Sequence, residues 1–111
     1  MGTMKRATIA RHIYRFLNET YFDGVLPEPL KFKFVPAKNF IAGVSTNGNI
    51  YFSTFYHYDH VEIMLHEMCH VWQFVTGGQD THGKTFKEIA LDISQQSGYN
   101  IQEFQQYFHI D

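Results

Sequence analysis

The sequence predicts a single α+β domain with about four helices and a small three-stranded antiparallel sheet. Three patterns support this prediction: apolar residues recur every three or four positions in the long segments, alternate with lysine in one short segment, and flank an Asn-Gly turn. The chain has 111 residues, of which 44% are hydrophobic and 17% aromatic. This composition suits one compact core, so one domain is expected over residues 1–111.

The first helix is predicted from about Met4 to Phe22. Its apolar residues follow the spacing of an amphipathic helix, with arginines on the other face: Ile9, Ile13, Phe16 and Leu17. Asp23-Gly24 ends the helix, and the prolines that follow keep the chain extended.

Three strands are predicted after this helix. The segment Leu30–Val35 alternates apolar residues with lysine, which is the period of a strand with one buried face. Two further apolar runs, Ile41–Thr46 and Ile50–Ser53, flank Asn47-Gly48-Asn49. Asn-Gly is a strong hairpin signal because both residues tolerate a positive φ, so an antiparallel sheet is expected.

Three more helices are predicted in the second half of the chain. The segment Asp59–Thr76 contains neither proline nor glycine, Asp59 is a suitable N-cap, and Gly77-Gly78 ends the helix. The next helix runs from about Gly83 to Ser97. A last helix is expected from residue 100, where Asn and Glu stand at the spacing of a capping box.

Charge and cysteine content exclude several classes of protein. Nine basic residues against eleven acidic residues give a net charge of -2, which does not favour a protein that binds nucleic acid by electrostatics alone. The one cysteine, Cys69, excludes an internal disulfide and a cysteine-rich zinc ribbon. The sequence has no signal-peptide core and no run of about 18 apolar residues, so a cytoplasmic protein without membrane contact is expected.

A His-Glu-Met-Cys-His motif at residues 66–70 lies in the middle of the second predicted helix. Four residues turn a helix by about 400°, so His66 and His70 lie about 40° apart and both can bind one metal ion. Glu67 lies about 100° from His66, where it can take a proton from a metal-bound water without being a ligand. The motif predicts a zinc hydrolase, since zinc lowers the pKa of bound water to about 7. A chance match is the alternative, but it would be expected in a polar segment.

The third ligand distinguishes the classes of zinc protease. A metzincin requires Gly three residues after the second motif histidine and His three residues later, but this chain has Gln and Thr there. A thermolysin-like enzyme would use a carboxylate such as Glu88 or Asp92. A helical wheel places both about 200° to 240° from Phe86, on the solvent side. The same wheel places His82 on the core side, so His82 is the predicted third ligand.

Four segments carry a resemblance to a known family and span about residues 15–90: Asn18–Pro27, Gly43 with Ile50–Ser53, His66–His70, and His82–Phe86. They resemble the SprT-like family of zinc metalloproteases. The resemblance implies a minigluzincin-like fold, Zn2+ held by His66, His70 and His82, and Glu67 as the catalytic residue. Larger relatives append zinc-binding or basic modules that bring the protease to DNA. This chain is expected to be the catalytic core alone, with only weak nucleic-acid binding.

Other residues have two interpretations each. Cys69 is expected to be buried and structural rather than a ligand. One aromatic and histidine set precedes the metal-binding helix and either lines the cleft or lies at the surface: His57, Tyr58 and His60. A second set either donates a hydrogen bond to an oxyanion or packs in the core: Tyr51, Tyr56 and Tyr99. The hairpin at residues 41–53 either pairs with an extended peptide at its edge or only closes the sheet.

The leading hypothesis is a zinc metalloendopeptidase that hydrolyses protein or peptide substrates through a zinc-bound water, with Glu67 as general base. One alternative is a non-catalytic zinc-stabilised binding module with a fourth protein ligand, such as Cys69 or His60. The other is a protease core that a partner recruits to DNA-protein crosslinks.

Overall fold

The computed structural model describes residues 5–45, 48–77 and 84–101. These residues form three helices and one three-stranded sheet, in the order α1 (Arg6–Tyr21), β1 (Lys31–Val35), β2 (Ala42–Val44), β3 (Asn49–Ser53), α2 (His60–Val75) and α3 (Lys84–Ser97). The predicted α+β class is confirmed. The fourth helix was predicted from residue 100, and from residue 102 onward it lies outside the described residues. Within the described ranges, no helix combines the length and the apolar character needed to cross a bilayer.

The sheet is mixed, so the prediction of a wholly antiparallel sheet was wrong. The strand order is β1-β3-β2, and β3 runs antiparallel to β2 but parallel to β1. Strands β1 and β2, which are consecutive in the chain, form the two edges of the sheet. Strand β3 comes last in the chain and lies between them. The predicted hairpin is present, with Gly48 at a φ of 91°. Local periodicity detects strands, but it does not determine which strands become neighbours.

Helix α1 packs on the sheet through a face that differs partly from the predicted one. The buried residues are Ala10, Tyr14, Leu17 and Asn18. Ile9 and Phe16, predicted on the apolar face, are 44% and 66% exposed. The face is centred on Tyr14, whose ring packs edge-on against Phe32 of β1 with centroids 5.8 Å apart.

A tight corner joins α1 to the sheet. The Asn18 side chain donates to the Leu26 carbonyl at 2.9 Å and accepts from the Leu26 amide at 3.1 Å. Asp23 and Gly24 reverse the chain between them with φ values of 54° and 71°, in the left-handed region that glycine adopts without strain. The Tyr14 hydroxyl donates to the Pro27 carbonyl at 2.6 Å. The corner therefore fixes where β1 begins relative to α1.

Helix α2 is the central element of the fold. Asp59 caps it as predicted, since its carboxylate accepts from the amides of Val61 and Glu62. Every residue from 63 to 70 is buried, because α1, α3 and β2 all pack against this helix. Helix α3 covers one side through the predicted apolar residues Phe86, Ala90 and Ile93.

Candidate functional site

The two motif histidines lie one helical turn apart in the buried middle of α2. His66 and His70 are each 1% exposed, and their ring centroids are 5.1 Å apart. Two imidazoles at this spacing on one face are able to bind the same ion. The local geometry predicted from the motif is therefore present.

Each motif histidine has an oxygen atom beside its Nδ1 atom. His66 Nδ1 lies 3.4 Å from the Ile101 carbonyl oxygen, and His70 Nδ1 lies 3.1 Å from Gln73 Oε1. Because these oxygens only accept hydrogen bonds, both contacts favour the tautomer in which Nδ1 carries the proton. The lone pair is then on Nε2, as in metal-binding histidines whose other ring nitrogen donates to a carbonyl or carboxylate.

The carboxylate of Glu67 is buried next to the histidines. The side chain is 0% exposed, and its Oε2 lies 4.0 Å from His66 Nε2. A carboxylate at this depth is costly unless it interacts with a cation or with hydrogen-bond donors. Its position beside the Nε2 side of the ring suits proton transfer at a metal site.

Phe86 of α3 forms a wall over both imidazoles. Its ring stacks on His70 with centroids 4.4 Å apart and an interplanar angle of 23°, and it lies 5.0 Å from the His66 ring at a tilt. Phe86 itself is 0% exposed. This contact restricts rotation of the rings and keeps water away from one side of the histidine pair.

The predicted third ligand, His82, lies outside the described residues. Glu88 and Asp92, the carboxylates that the helical wheel placed on the solvent side, are exposed. Glu88 Oε1 lies 3.9 Å from Lys84 Nζ, and the Asp92 carboxylate accepts a hydrogen bond from Gln96. No group of three or more His, Cys, Asp or Glu side chains suited to a metal ion occurs within residues 5–45, 48–77 and 84–101. Ligation by His82 therefore stays a prediction.

Cys69 is buried as predicted, and it has no disulfide partner. Burial raises the pKa of its thiol, and the negative charges of Glu67 and Asp92 raise it further. The thiolate is the form that binds metal or attacks as a nucleophile. A thiol with a raised pKa is suited to packing, which favours the structural interpretation of Cys69.

Two of the remaining candidate sites have contacts that do not involve the motif residues. The Tyr56 hydroxyl donates its hydrogen bond to the Lys38 carbonyl, so its proton is not available to an oxyanion. His57, Tyr58 and His60 line a cavity of about 540 Å³. None of the motif residues His66, Glu67 and His70 is among the described residues lining this cavity. His57, Tyr58 and His60 therefore line a cavity, but the motif residues do not line it with them.

Sequence reasoning missed two supports of the histidine pair. Gln73 is 1% exposed and stands three residues after His70, so helical spacing alone could have placed it beside that ring. The Ile101 carbonyl is a main-chain atom 35 residues from His66, and no sequence pattern indicates it.

A comparison with protein families identifies the family of this chain. One family profile, described as the SprT-like family, matches residues 10–105. A comparison with curated proteins gives no match. The matched range includes most of α1, the sheet, α2 and α3, and it covers far more than half of the chain. The chain therefore belongs to the SprT-like family.

Proposed function

We propose that this protein is a zinc-dependent metalloendopeptidase. In this proposal His66, His70 and His82 hold the zinc ion, and Glu67 is the general base. Membership of the SprT-like family supports a metalloprotease-type domain, and the side chains of α2 support the specific assignment.

The observation that carries the proposal is the arrangement of the two described imidazoles. Both are buried one turn apart, and both have an oxygen acceptor at Nδ1. Histidines that only pack in a core need no such matched arrangement, whereas ligands need Nε2 unprotonated and the ring held in position. The donor set therefore fits a zinc ion, which prefers histidine nitrogen and takes three protein ligands in catalytic sites.

Glu67 performs the proton transfers in the proposed reaction. A zinc ion at this site would act as a Lewis acid toward water and the scissile carbonyl. The Glu67 carboxylate accepts the proton that the attacking water loses, and it then donates that proton to the leaving amine nitrogen. Phe86 limits the access of other water molecules to the histidines.

The edge of the sheet provides a place for an extended substrate. Strand β2 lies at one edge and packs beside α2, the helix that carries the motif. A peptide that adds to such an edge is held through its backbone, which places few demands on its sequence. We therefore propose protein or peptide substrates bound with loose specificity.

The test compares wild type with Glu67→Gln on an unfolded protein substrate at equal zinc occupancy. Hydrolysis should fall by a factor of about 10² to 10⁴, because Gln keeps the shape of the side chain but does not accept the proton. Zinc content should remain at the wild-type value. The control is Glu88→Gln, which changes an exposed carboxylate on α3 and should leave hydrolysis unchanged.

Two outcomes would contradict the proposal. If Glu67→Gln cleaves as fast as wild type, Glu67 is not the base. If the zinc-loaded wild type cleaves no unfolded protein, the non-catalytic zinc module is favoured instead.

A further inference from the structure

The cavity lined by His57, Tyr58 and His60 lies between the first half of α1, the end of β3 and the start of α2. Its volume is about 540 Å³, within the range of about 300–1,000 Å³ that is usual for small-molecule sites. Its lining divides into an apolar floor and a polar rim.

The floor of this cavity is aromatic and apolar. Phe34 and Phe52 stack there with centroids 5.4 Å apart and an interplanar angle of 22°. Ala10 and Ile13 of α1 and Met64 of α2 complete the floor. Such a surface suits the apolar body of a ligand, because its burial removes apolar area from water on both sides.

The rim of this cavity is cationic. Arg6 lines it, and the Arg6 guanidinium carbon lies 6.0 Å from the centre of the Phe34 ring. The other two arginines of α1, Arg11 and Arg15, both pair with Glu28, whereas Arg6 has no ion pair within the described residues. The Arg6 charge is therefore available to a ligand.

No acidic side chain competes for this charge among the described lining residues. His57 and His60 also line the cavity, and each imidazole supplies a further N–H donor. The acid between them, Asp59, is engaged with the backbone amides at the start of α2. The rim thus combines one arginine with two imidazoles above an apolar floor.

We propose that this cavity binds a small amphipathic carboxylate. The apolar body of the ligand lies on the Phe34–Phe52 floor, and its carboxylate pairs with Arg6. A guanidinium pairs with a carboxylate through two parallel hydrogen bonds, which a neutral alcohol does not match. The assignment does not depend on the proposed peptidase activity, because His66, Glu67 and His70 are not among the described residues that line the cavity.

The experiment titrates the full chain with naphthalene-1-acetate and, separately, with the neutral analogue 2-(naphthalen-1-yl)ethanol, and it is observed by methyl NMR. The acid should bind with a Kd of about millimolar or tighter for a ligand of this size. It should shift the methyl signals of Ile13 and Met64, which line the cavity, and not those of Leu91, which is exposed on α3.

Charge recognition is tested with Arg6→Gln and with Arg15→Gln as the matched control on the same helix. Arg6→Gln should weaken binding of the acid about fivefold, the size expected for an ion pair that stays partly exposed to water. Binding of the alcohol should not change, and Arg15→Gln should change neither ligand. The proposal is overturned if wild type binds both ligands equally, if Arg6→Gln leaves the acid unaffected, or if Ile13 and Met64 do not shift.

Discussion

Two segments that carry the family resemblance, residues 18–27 and 66–70, use their polar side chains in opposite ways. In the first segment the amide of Asn18 bonds to the backbone of Leu26 in both directions, so its polar atoms stabilise a chain reversal. In the second segment two imidazoles and the Glu67 carboxylate are placed in the most deeply buried helix of the fold. A motif shared within a family can therefore have a structural role or a catalytic one, and the hydrogen-bond partners of its side chains distinguish the two.

The same contrast has an energetic side. Buried amides with backbone partners contribute to the free energy of unfolding. A buried carboxylate lowers it unless a cation or hydrogen-bond donors compensate. The first segment should therefore respond to substitution in stability, and the second in metal binding and activity.

The largest expected effect concerns the third ligand. His82→Ala should abolish retention of the one zinc per chain that we predict, because two histidines alone hold zinc far more weakly than three ligands. The measurement is the metal content after dialysis, with Glu88→Ala as control because Glu88 is exposed on α3. Loss of zinc in the Glu88 variant but not in the His82 variant would reverse the assignment.

A smaller effect on the metal is expected from the acceptor beside His70. Gln73→Leu keeps the approximate size of the side chain but removes the oxygen 3.1 Å from His70 Nδ1. Zinc affinity should fall about 10- to 100-fold, as is typical for partners of metal-binding histidines. Competition with a chromophoric chelator measures the change, and the exposed Gln95→Leu is the control. Equal affinities in both variants would show that Gln73 only fills space.

The corner segment should respond in stability. Asn18→Ala removes both hydrogen bonds to Leu26 and leaves the amide and carbonyl of that residue without them. Urea denaturation should show a loss of about 2–3 kcal/mol in the free energy of unfolding, because buried polar groups then lack partners. Zinc affinity of the folded protein should stay the same. Glu19→Ala, at the next and exposed position, should change stability by less than about 0.5 kcal/mol.

The sequence predicted local features well because their signals are local. The cap at Asp59 and the turn at Gly48 each depend on a few neighbouring residues, and the structure contains both. The central position of β3 was missed because strand order depends on contacts between distant segments. The exposure of Phe16 was missed because a helix with apolar residues on two sides has no single face in its sequence.

The same distinction between local and distant contacts applies to the candidate site. The motif predicted the relation between His66 and His70, since helical spacing determines it. The Ile101 carbonyl beside His66 depends on how the chain returns after α3. The stacking of Phe86 on His70 depends on how α3 packs against α2. A motif therefore predicts the ligands on one helix more reliably than the groups that orient them.

The smallest expected effect comes from Glu28, which adds an exposed ionic contact beside the buried Asn18 corner. Arg15 Nε and Arg11 donate to its carboxylate at 2.8 and 3.0 Å, and the hydrogen bond from Arg15 holds the pKa of Glu28 below its ordinary value of 4.5. Because the folded-state pKa is the lower one, the stabilisation is present above about pH 4.5 and is lost as the pH falls through the folded-state pKa. The side chain is 40% exposed, so Glu28→Gln should lower the free energy of unfolding at pH 7 by less than about 1 kcal/mol. Urea denaturation at pH 7 and pH 3 measures the difference in free energy of unfolding between wild type and Glu28→Gln, with the exposed Glu19→Gln as control. The difference should be smaller at pH 3 than at pH 7. A difference of the same size at both pH values would mean that the carboxylate charge is not its cause.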